Sequence, residues 1–521
     1  MHPRAALPPA VSHLLLILLV ALFQPSALAA QTANQVVPHR YVLLLSSSSA
    51  APPDLRRAGP RLLHHSTRLG YALVSTPAAQ SDAAAMRELS ALPGVTAVLH
   101  DRILMAQHLA VAPALQPEFR LVVKTPPVFD SYYNSPQGWA VRAAGGYGGG
   151  VAGGPASGPW DRTTGRGVRI AILDSGIDGT HPDLAPNLAL NLSEVDSSST
   201  TGLPSACDDG SPQDQQGHGS WTASLAAAAQ GPGTGQLVGV APDASLLNIK
   251  VLERLPANLA GAATLEQQCA AGEAGGLLSW VLQGIDDAVL NQAEVISMSF
   301  GVVADLNTGE GSGLKTLFDH VTYAAQQAGA VLVAAAGNNG YNLTSPRYIE
   351  LPAQARGVLA VAASTNPACA EDLSAGATCQ PGPVTLAQYS NFGAPLQAIA
   401  APGGSDPEGP DLGVSGWVRG ACSSGEPGTV SGLPGTPGQS YGCFGMGHAA
   451  YVQAKGTSAS APLLAGAAAL LRALHPEWTP AQVVAALQQS ADVLPTLPFP
   501  LLNTQAAMDA RPVATAQDDS N

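Results

Sequence analysis

Three segments of this 521-residue chain hold the residue types that acyl-transfer chemistry needs. Asp174 ends the apolar run 168–174 and is followed by Ser175 and Gly176. A carboxylate at the C-terminal end of a parallel strand lies where open α/β sheets place their ligands. His218 sits in Gln216-Gly217-His218-Gly219-Ser220, where glycine on each side removes bulk and lets another segment approach the imidazole. Ser458 sits in Lys455-Gly456-Thr457-Ser458-Ala459-Ser460-Ala461-Pro462, at the mouth of a long Ala/Leu run. A serine there finds unpaired backbone N–H groups and the positive end of a helix dipole, which together stabilise an oxyanion. Asn338, in Ala334-Ala335-Ala336-Gly337-Asn338-Asn339-Gly340, could add a side-chain N–H to the same charge. Taken singly each residue has a plainer reading: a turn cap, a surface histidine, a helix cap, a turn asparagine.

The elements that must position these residues alternate. Runs 168–174, 244–252, 294–300, 331–336 and 358–363 read as short apolar strands. Helical patterns cover 221–229, 277–292, 314–328, 460–474 and 480–490. Near-continuous apolar strands separated by helices predict an α/β fold whose parallel sheet is covered on both faces. Residues 35–107 read as a separate small α+β unit: strands at 40–45 and 69–74, a helix at 83–92 ended by Pro93-Gly94, then strand material at 95–99 and 102–105. The Gly-rich stretch 143–159 reads as a loop, and the polar last ten residues as a frayed end.

Composition narrows the function. The net charge of −14 excludes the basic face that nucleic-acid binding needs. One long apolar run exists, Leu14 to Phe23, too short to span a bilayer. Arg4 before it and Ala27-Leu28-Ala29 after it make residues 1–29 a signal peptide, with no membrane anchor, so a secreted location (extracellular or periplasmic) is expected. Six cysteines in a secreted chain suggest disulfides, and sequence neighbours give 207–269, 369–379 and 422–443 as the simplest of fifteen pairings. Residues 30–107 carry seven arginines and four acids; residues 108–521 carry fifteen Lys and Arg against thirty-three acids.

Together, Asp174 in DSG, His218 in GHGS, Ser458 in GTSASAP and Asn338 in AAAGN resemble the signatures of the subtilisin-like serine proteases, in that family's order. Val238-Gly239-Val240-Ala241-Pro242, Ser297-Met298-Ser299-Phe300-Gly301 and Ala401-Pro402-Gly403 extend the resemblance over residues 160 to 492. It implies a three-layer α/β/α fold around a central parallel sheet and an Asp174–His218–Ser458 triad with Asn338 in the oxyanion hole. It also implies substrate-binding walls at Ser299, Phe300, Gly301, Ala336 and Gly337. Residues 30–107 resemble the family's inhibitory propeptide, to be followed by a linker at 108–159, a peptidase domain at 160–495 and a tail at 496–521. The activity implied is that of a monomeric serine endopeptidase acting on proteins and peptides, inhibited by its own propeptide. No carboxylate stands in the wall segments, so an apolar P1 residue is expected. No catalytic cofactor is implied. Asp183 matches a position that ligates calcium in some relatives, but loop 230–236 offers only Gln230 and Gln236, which leaves a structural calcium open. The sequence departs from the family in Trp221-Thr222 after GHGS, and in insertions at 196–215, 255–276 and 403–451, long enough to narrow a cleft to a specific processing site. The reading from another class is a non-catalytic binding protein on the same fold; a missing triad residue would favour it, and none is missing.

Overall fold

The computed structural model describes residues 36–46, 59–106, 109–111, 138–145, 158–195, 205–230, 237–257, 263–367, 382–404, 416–425, 444–446 and 449–511. The expected signal peptide, most of the Gly-rich stretch and the last ten residues lie outside them.

Seven strands form an all-parallel sheet in the order Ala398–Pro402, Val358–Ser364, Val331–Ala335, Val295–Met298, Arg169–Asp174, Ser245–Lys250, Leu188–Ser193. Successive side chains point to opposite faces. Ile170, Ile172, Val331 and Val333 join the apolar residues of helices His218–Ala227, Thr457–Leu474 and Pro480–Ser490. Ala171, Leu173, Leu332 and Ala334 join those of helices Leu278–Leu290 and Gly309–Gln327. Both faces are dry, so the strands read as unbroken apolar runs and the layers are helix, sheet, helix. The helix Thr457–Leu474 is, among the described residues, the one helix long and apolar enough to cross a membrane; it is apolar because it is buried against this sheet.

All five strands read from the sequence belong to this sheet. The two edge strands were not read. Leu188–Ser193 is half exposed, and Ala398–Pro402 is mostly alanine, so neither shows a strand signal. The run 294–300 breaks at Ser299: Val295–Met298 stays in the parallel sheet and Phe300–Asp305 turns into a second, antiparallel one.

That second sheet runs Tyr348–Leu351, Phe300–Asp305, Val95–Ala106, Val36–Leu45, Tyr71–Ser75, Arg61–Ser66, with Glu273–Leu277 also paired to Val95–Ala106. Runs 95–99 and 102–105 are one strand. One face of its N-terminal strands packs Tyr41, Leu43, Leu45 and Val74 on Ala85 and Leu89 of helix Asp82–Ser90. The other face places Val42, Leu44, Leu73, Leu99 and Leu104 among Leu282, Leu314 and Leu317 of helices Leu278–Leu290 and Gly309–Gln327. Polar joints reinforce the contact. Asp101, wholly buried, accepts from Arg40 Nε (3.0 Å) and from the Ser279 N–H (2.9 Å) and hydroxyl (2.7 Å) at the start of helix Leu278–Leu290. Arg68 pairs with Asp286, and Arg102 with Glu310.

Two insertions expected as loops carry strands. Glu253–Leu255 and Glu273–Leu277 form an antiparallel pair beside the Cys207–Cys269 disulfide, the pairing that sequence proximity predicted. Val418–Ala421, Phe444–Met446 and Ala449–Lys455 form a small antiparallel sheet whose last strand delivers Gly456 and Ser458. Cys422 is disulfide-bonded as well; Cys369, Cys379 and Cys443 lie outside the described residues. Beyond 495, Leu502, Ala507 and Met508 are buried in the same core as the helix Thr457–Leu474, so the packed region runs past the expected boundary.

Candidate active site

Asp174 is the last residue of the central strand Arg169–Asp174, and His218 opens its helix. His218 Nδ1 lies 2.6 Å from Asp174 Oδ1. An ionised carboxylate only accepts, so this contact sets Nδ1 as the protonated nitrogen. Asp174 is held from two further sides: its Oδ1 accepts from the Ser175 N–H (2.7 Å), and its Oδ2 accepts from the Thr222 hydroxyl (3.1 Å). Thr222 stands one helical turn after His218, which brings both side chains to one face. Gly219 lets the helix touch the Asp174 turn, because a Cβ there would run into the Gly176 carbonyl. Trp221, the departure noted in the sequence, is wholly buried; its indole N–H donates to the Val418 carbonyl at 3.1 Å and ties the helix to the small antiparallel sheet.

The start of the histidine helix is capped from a distance. Gly217, at φ 101°, has no capping side chain. Buried Asp214 does that work, accepting from the N–H groups of Gln216 (3.1 Å), Gly217 (2.7 Å) and Ser220 (2.8 Å) and from the Ser175 hydroxyl (2.9 Å). Burial pushes its carboxyl pKa up, against these hydrogen bonds, which favour the ionised form. A negative charge at a helix N-terminus is favourable.

Ser458 is the second residue of helix Thr457–Leu474 and is wholly buried, as is His218. Its hydroxyl donates to the Ser299 carbonyl at 3.2 Å. Pro462 lacks the N–H that would normally bond the Ser458 carbonyl. The Ser299 hydroxyl donates to that carbonyl instead, at 3.2 Å. Asn338 follows strand Val331–Ala335, and its Oδ1 accepts from the Thr457 N–H (2.9 Å) and hydroxyl (2.8 Å). Its oxygen is thereby fixed on the serine helix, which fixes its amide nitrogen on the opposite side. Gly337 stands at φ 100° with its N–H on the Thr457 hydroxyl (3.3 Å).

The expected walls flank this centre. Strand Val95–Ala106 lies between one of these walls and strand Glu273–Leu277, which was not expected as a wall: Ala106 is opposite Phe300, Met105 is opposite both Gly301 and Gly275, and Leu104 is opposite Gly276. Ala336 is buried, its N–H on the Val361 carbonyl at 2.9 Å. Ser175, Asp214, Thr222 and Thr457 were missed in the sequence. Each adjoins a signature residue or stands a turn away, so hydroxyl and carboxyl residues next to the signatures were the available signal. The Asp183 carboxylate accepts from the Tyr451 hydroxyl (3.0 Å) and the Leu237 N–H (3.4 Å). No group of three or more His, Cys, Asp or Glu side chains able to hold a metal occurs among the described residues.

Subtilisin NAT of Bacillus subtilis subsp. natto is 31% identical over 349 residues, 66% of this chain and 66% of its own. The chain thus spans just under two thirds of that relative. An extracellular protease of Xanthomonas campestris pv. campestris is 28% identical over 501 residues, covering 91% of this chain and 67% of its own. The solved structure of the epidermin leader peptide processing serine protease of Staphylococcus aureus shares the fold, with TM-score 0.60, 18% identity and 90% of this chain covered against 97% of that one. The profile of the subtilase family (peptidase S8) matches residues 165–515, and the chain belongs to that family.

Proposed function

We propose that this chain is a secreted serine endopeptidase, made as a zymogen that cuts itself, with Asp174, His218 and Ser458 as its triad. The observation that carries the reading is the Asp174–His218 pair at 2.6 Å, on the strand and helix that face the start of the Ser458 helix. Ser458 Oγ attacks the scissile carbonyl. His218 Nε2 takes the proton and returns it to the leaving amine, while Asp174 holds the imidazole and stabilises its charged form. The Asn338 amide and the Ser458 N–H receive the oxyanion. No cofactor enters these steps. The walls Ser299, Phe300, Gly301, Ala336 and Gly337 are apolar apart from one hydroxyl, which supports an apolar P1 residue and broad specificity. The test is labelling by a fluorophosphonate probe together with hydrolysis of casein; a folded protein that does neither would exclude the reading.

Asn338→Ala should lower kcat by about 10²–10³-fold with little change in KM, the range for an oxyanion donor of this kind. It also removes the acceptor at the head of the serine helix, at a cost of about 1 kcal/mol. Asn338→Asp keeps that acceptor and loses the donor. If its kcat stayed at the wild-type level, Asn338 would only be a cap.

Residues 30–107 are proposed as the inhibitory propeptide. Support comes from strand Val95–Ala106 seated between Gly275 and Gly301, and from the full burial of His218 and Ser458 in a chain that carries it. Ala106 pairs with Phe300, the residue after Ser299, so the next residue along, Gln107, is taken as the P1 residue and Gln107–His108 as the proposed cut. His100 gives this attachment a pH dependence. Its ring meets Glu310 of the peptidase helix (3.2 Å) and Asp82 of its own unit (2.8 Å), and its pKa rises to about 8, chiefly through the Glu310 hydrogen bond. The part of the rise that Glu310 supplies comes with attachment, so it strengthens attachment fully below the free propeptide's own value and is lost as pH rises through about 8. The cut propeptide should therefore dissociate faster at pH 9 than at pH 6. His100→Leu should remove most of the difference, and equal wild-type rates at both pH values would refute the role.

A further inference from the structure

Lys250 is a cation that no step of the proposed mechanism uses. It ends strand Ser245–Lys250, directly opposite Asp174 in the parallel sheet. The two N–H groups that follow it, of Val251 and Leu252, both donate to the Asp174 carbonyl, at 2.9 and 3.1 Å. The main chain at Lys250 therefore holds the Asp174 end of the triad. Its side chain is wholly buried and serves a different segment. Nζ donates to both oxygens of Asp208, at 2.8 and 2.9 Å, and to the Gln213 carbonyl at 3.0 Å. An ammonium has three N–H donors, and all three are used. Asp208, whose side chain is also closed to solvent, adjoins the Cys207–Cys269 disulfide and accepts from the Gly210 and Arg254 N–H groups, at 2.9 and 3.0 Å.

A buried ion pair costs desolvation on both sides, and apolar replacements of both members are often no less stable. Stability alone therefore does not account for this one. The third bond of Nζ leads to the catalytic centre. Gln213 precedes Asp214, the carboxylate that gathers the N–H groups of Gln216, Gly217 and Ser220 at the start of the His218 helix. Asp214 also accepts from the Ser175 hydroxyl, whose oxygen accepts from the Gly219 N–H at 2.9 Å, while the Ser175 N–H is on Asp174. Fixing the Gln213 carbonyl fixes where the Asp214 carboxylate stands, and so where the helix that carries His218 begins. We propose that Lys250 is a positioning residue for catalysis: its strand holds Asp174, and its ammonium, through Gln213 and Asp214, holds the His218 helix against it. This rests on the endopeptidase reading and extends it to residues 208–214, within the insertion 196–215.

The test removes both charges at once, because Lys250→Met alone would strand a buried carboxylate. In Lys250→Met, Asp208→Asn, kcat per active site, counted with the fluorophosphonate probe, should fall about 10–100-fold while KM stays within about threefold. That split marks misplaced catalytic groups rather than lost substrate contacts or a smaller folded fraction. Asp214→Asn should lower kcat at least as much, since in either orientation its NH2 would meet a main-chain N–H. Added to Asp214→Asn, the Lys250 and Asp208 substitutions should cost less than about threefold more, because they act through it. Losses that multiply, or a wild-type kcat in the Lys250–Asp208 variant, would overturn the assignment. Because buried substitutions can impair folding, the wild type is also followed by hydrogen exchange. The Gly217 and Ser220 amides, held by Asp214, and the Arg254 amide, held by Asp208, should open as one unit with the same urea dependence. Separate opening of the two sets would also overturn it. A folded wild type that cleaves no peptide and ignores the probe would overturn the endopeptidase reading itself, and this inference with it.

Discussion

Ser458→Ala should leave a folded precursor that never cuts itself, with kcat on any peptide lowered by about 10⁶-fold. The magnitude is the one established for triad serine and histidine knock-outs in subtilisin and is carried over through the family. The substitution removes one hydroxyl whose described bond is to the Ser299 carbonyl at 3.2 Å, a loss of about 1 kcal/mol in stability. The sheet, the helix start and the Asn338 cap do not depend on it. His218→Ala should cost about as much, because nucleophile and base act as a unit and losing either removes the acyl-enzyme route. The readout is direct. Expressed wild type should show a new N-terminus near His108, while Ser458→Ala should keep residues 30–107 attached. A variant retaining a tenth of wild-type activity would end the triad assignment. An active wild type beginning near Gln31 would end the propeptide assignment and leave the triad standing.

The parts of the molecule that were legible in the sequence are those where one physical demand dominates. Strands such as Arg169–Asp174 and Val331–Ala335 are buried on both faces, and continuous apolarity announces that. Helix Pro480–Ser490 carries Thr479 as a cap and Pro480 in its first turn, and its bounds were read to the residue. Sites that depend on long-range meeting were less legible. The central strand run was drawn through Ser299, since nothing local says that Phe300 changes sheets to pair with Ala106. Insertions 255–276 and 403–451 looked like loops because their strands are short and rich in glycine. Asp214 lies in another such insertion, and its role at the histidine helix becomes visible only once residues 214–220 fold back around it.

Asp174→Ala should lower kcat by about 3 × 10⁴-fold, again the size known for this carboxylate in subtilisin, and Asp174→Asn should be the milder change. The ranking follows from the bonds around the carboxylate. Both the Ser175 N–H and His218 Nδ1 are served by Oδ1, while Oδ2 receives only the Thr222 hydroxyl. That hydroxyl also donates to the Gly219 carbonyl at 3.1 Å, so it can give up Oδ2 and accept instead. An asparagine can therefore keep its oxygen at the Oδ1 position and aim its amide at Thr222. In that pose His218 keeps the same tautomer, and what is lost is the negative charge that stabilises the imidazolium. Alanine loses the charge, the orientation and the tautomer together. In Thr222→Val no acceptor remains for that amide, so the asparagine gains nothing by holding its oxygen towards His218. The double variant Asp174→Asn, Thr222→Val should fall to the level of Asp174→Ala, although Thr222→Val alone should cost less than Asp174→Asn. The measurement is kcat/KM on one peptide for the four variants. Equal activity of Asp174→Asn and Asp174→Ala in the Thr222 background would show that this hydroxyl does not hold the pose. Activity within tenfold of wild type in Asp174→Ala would remove Asp174 from the triad.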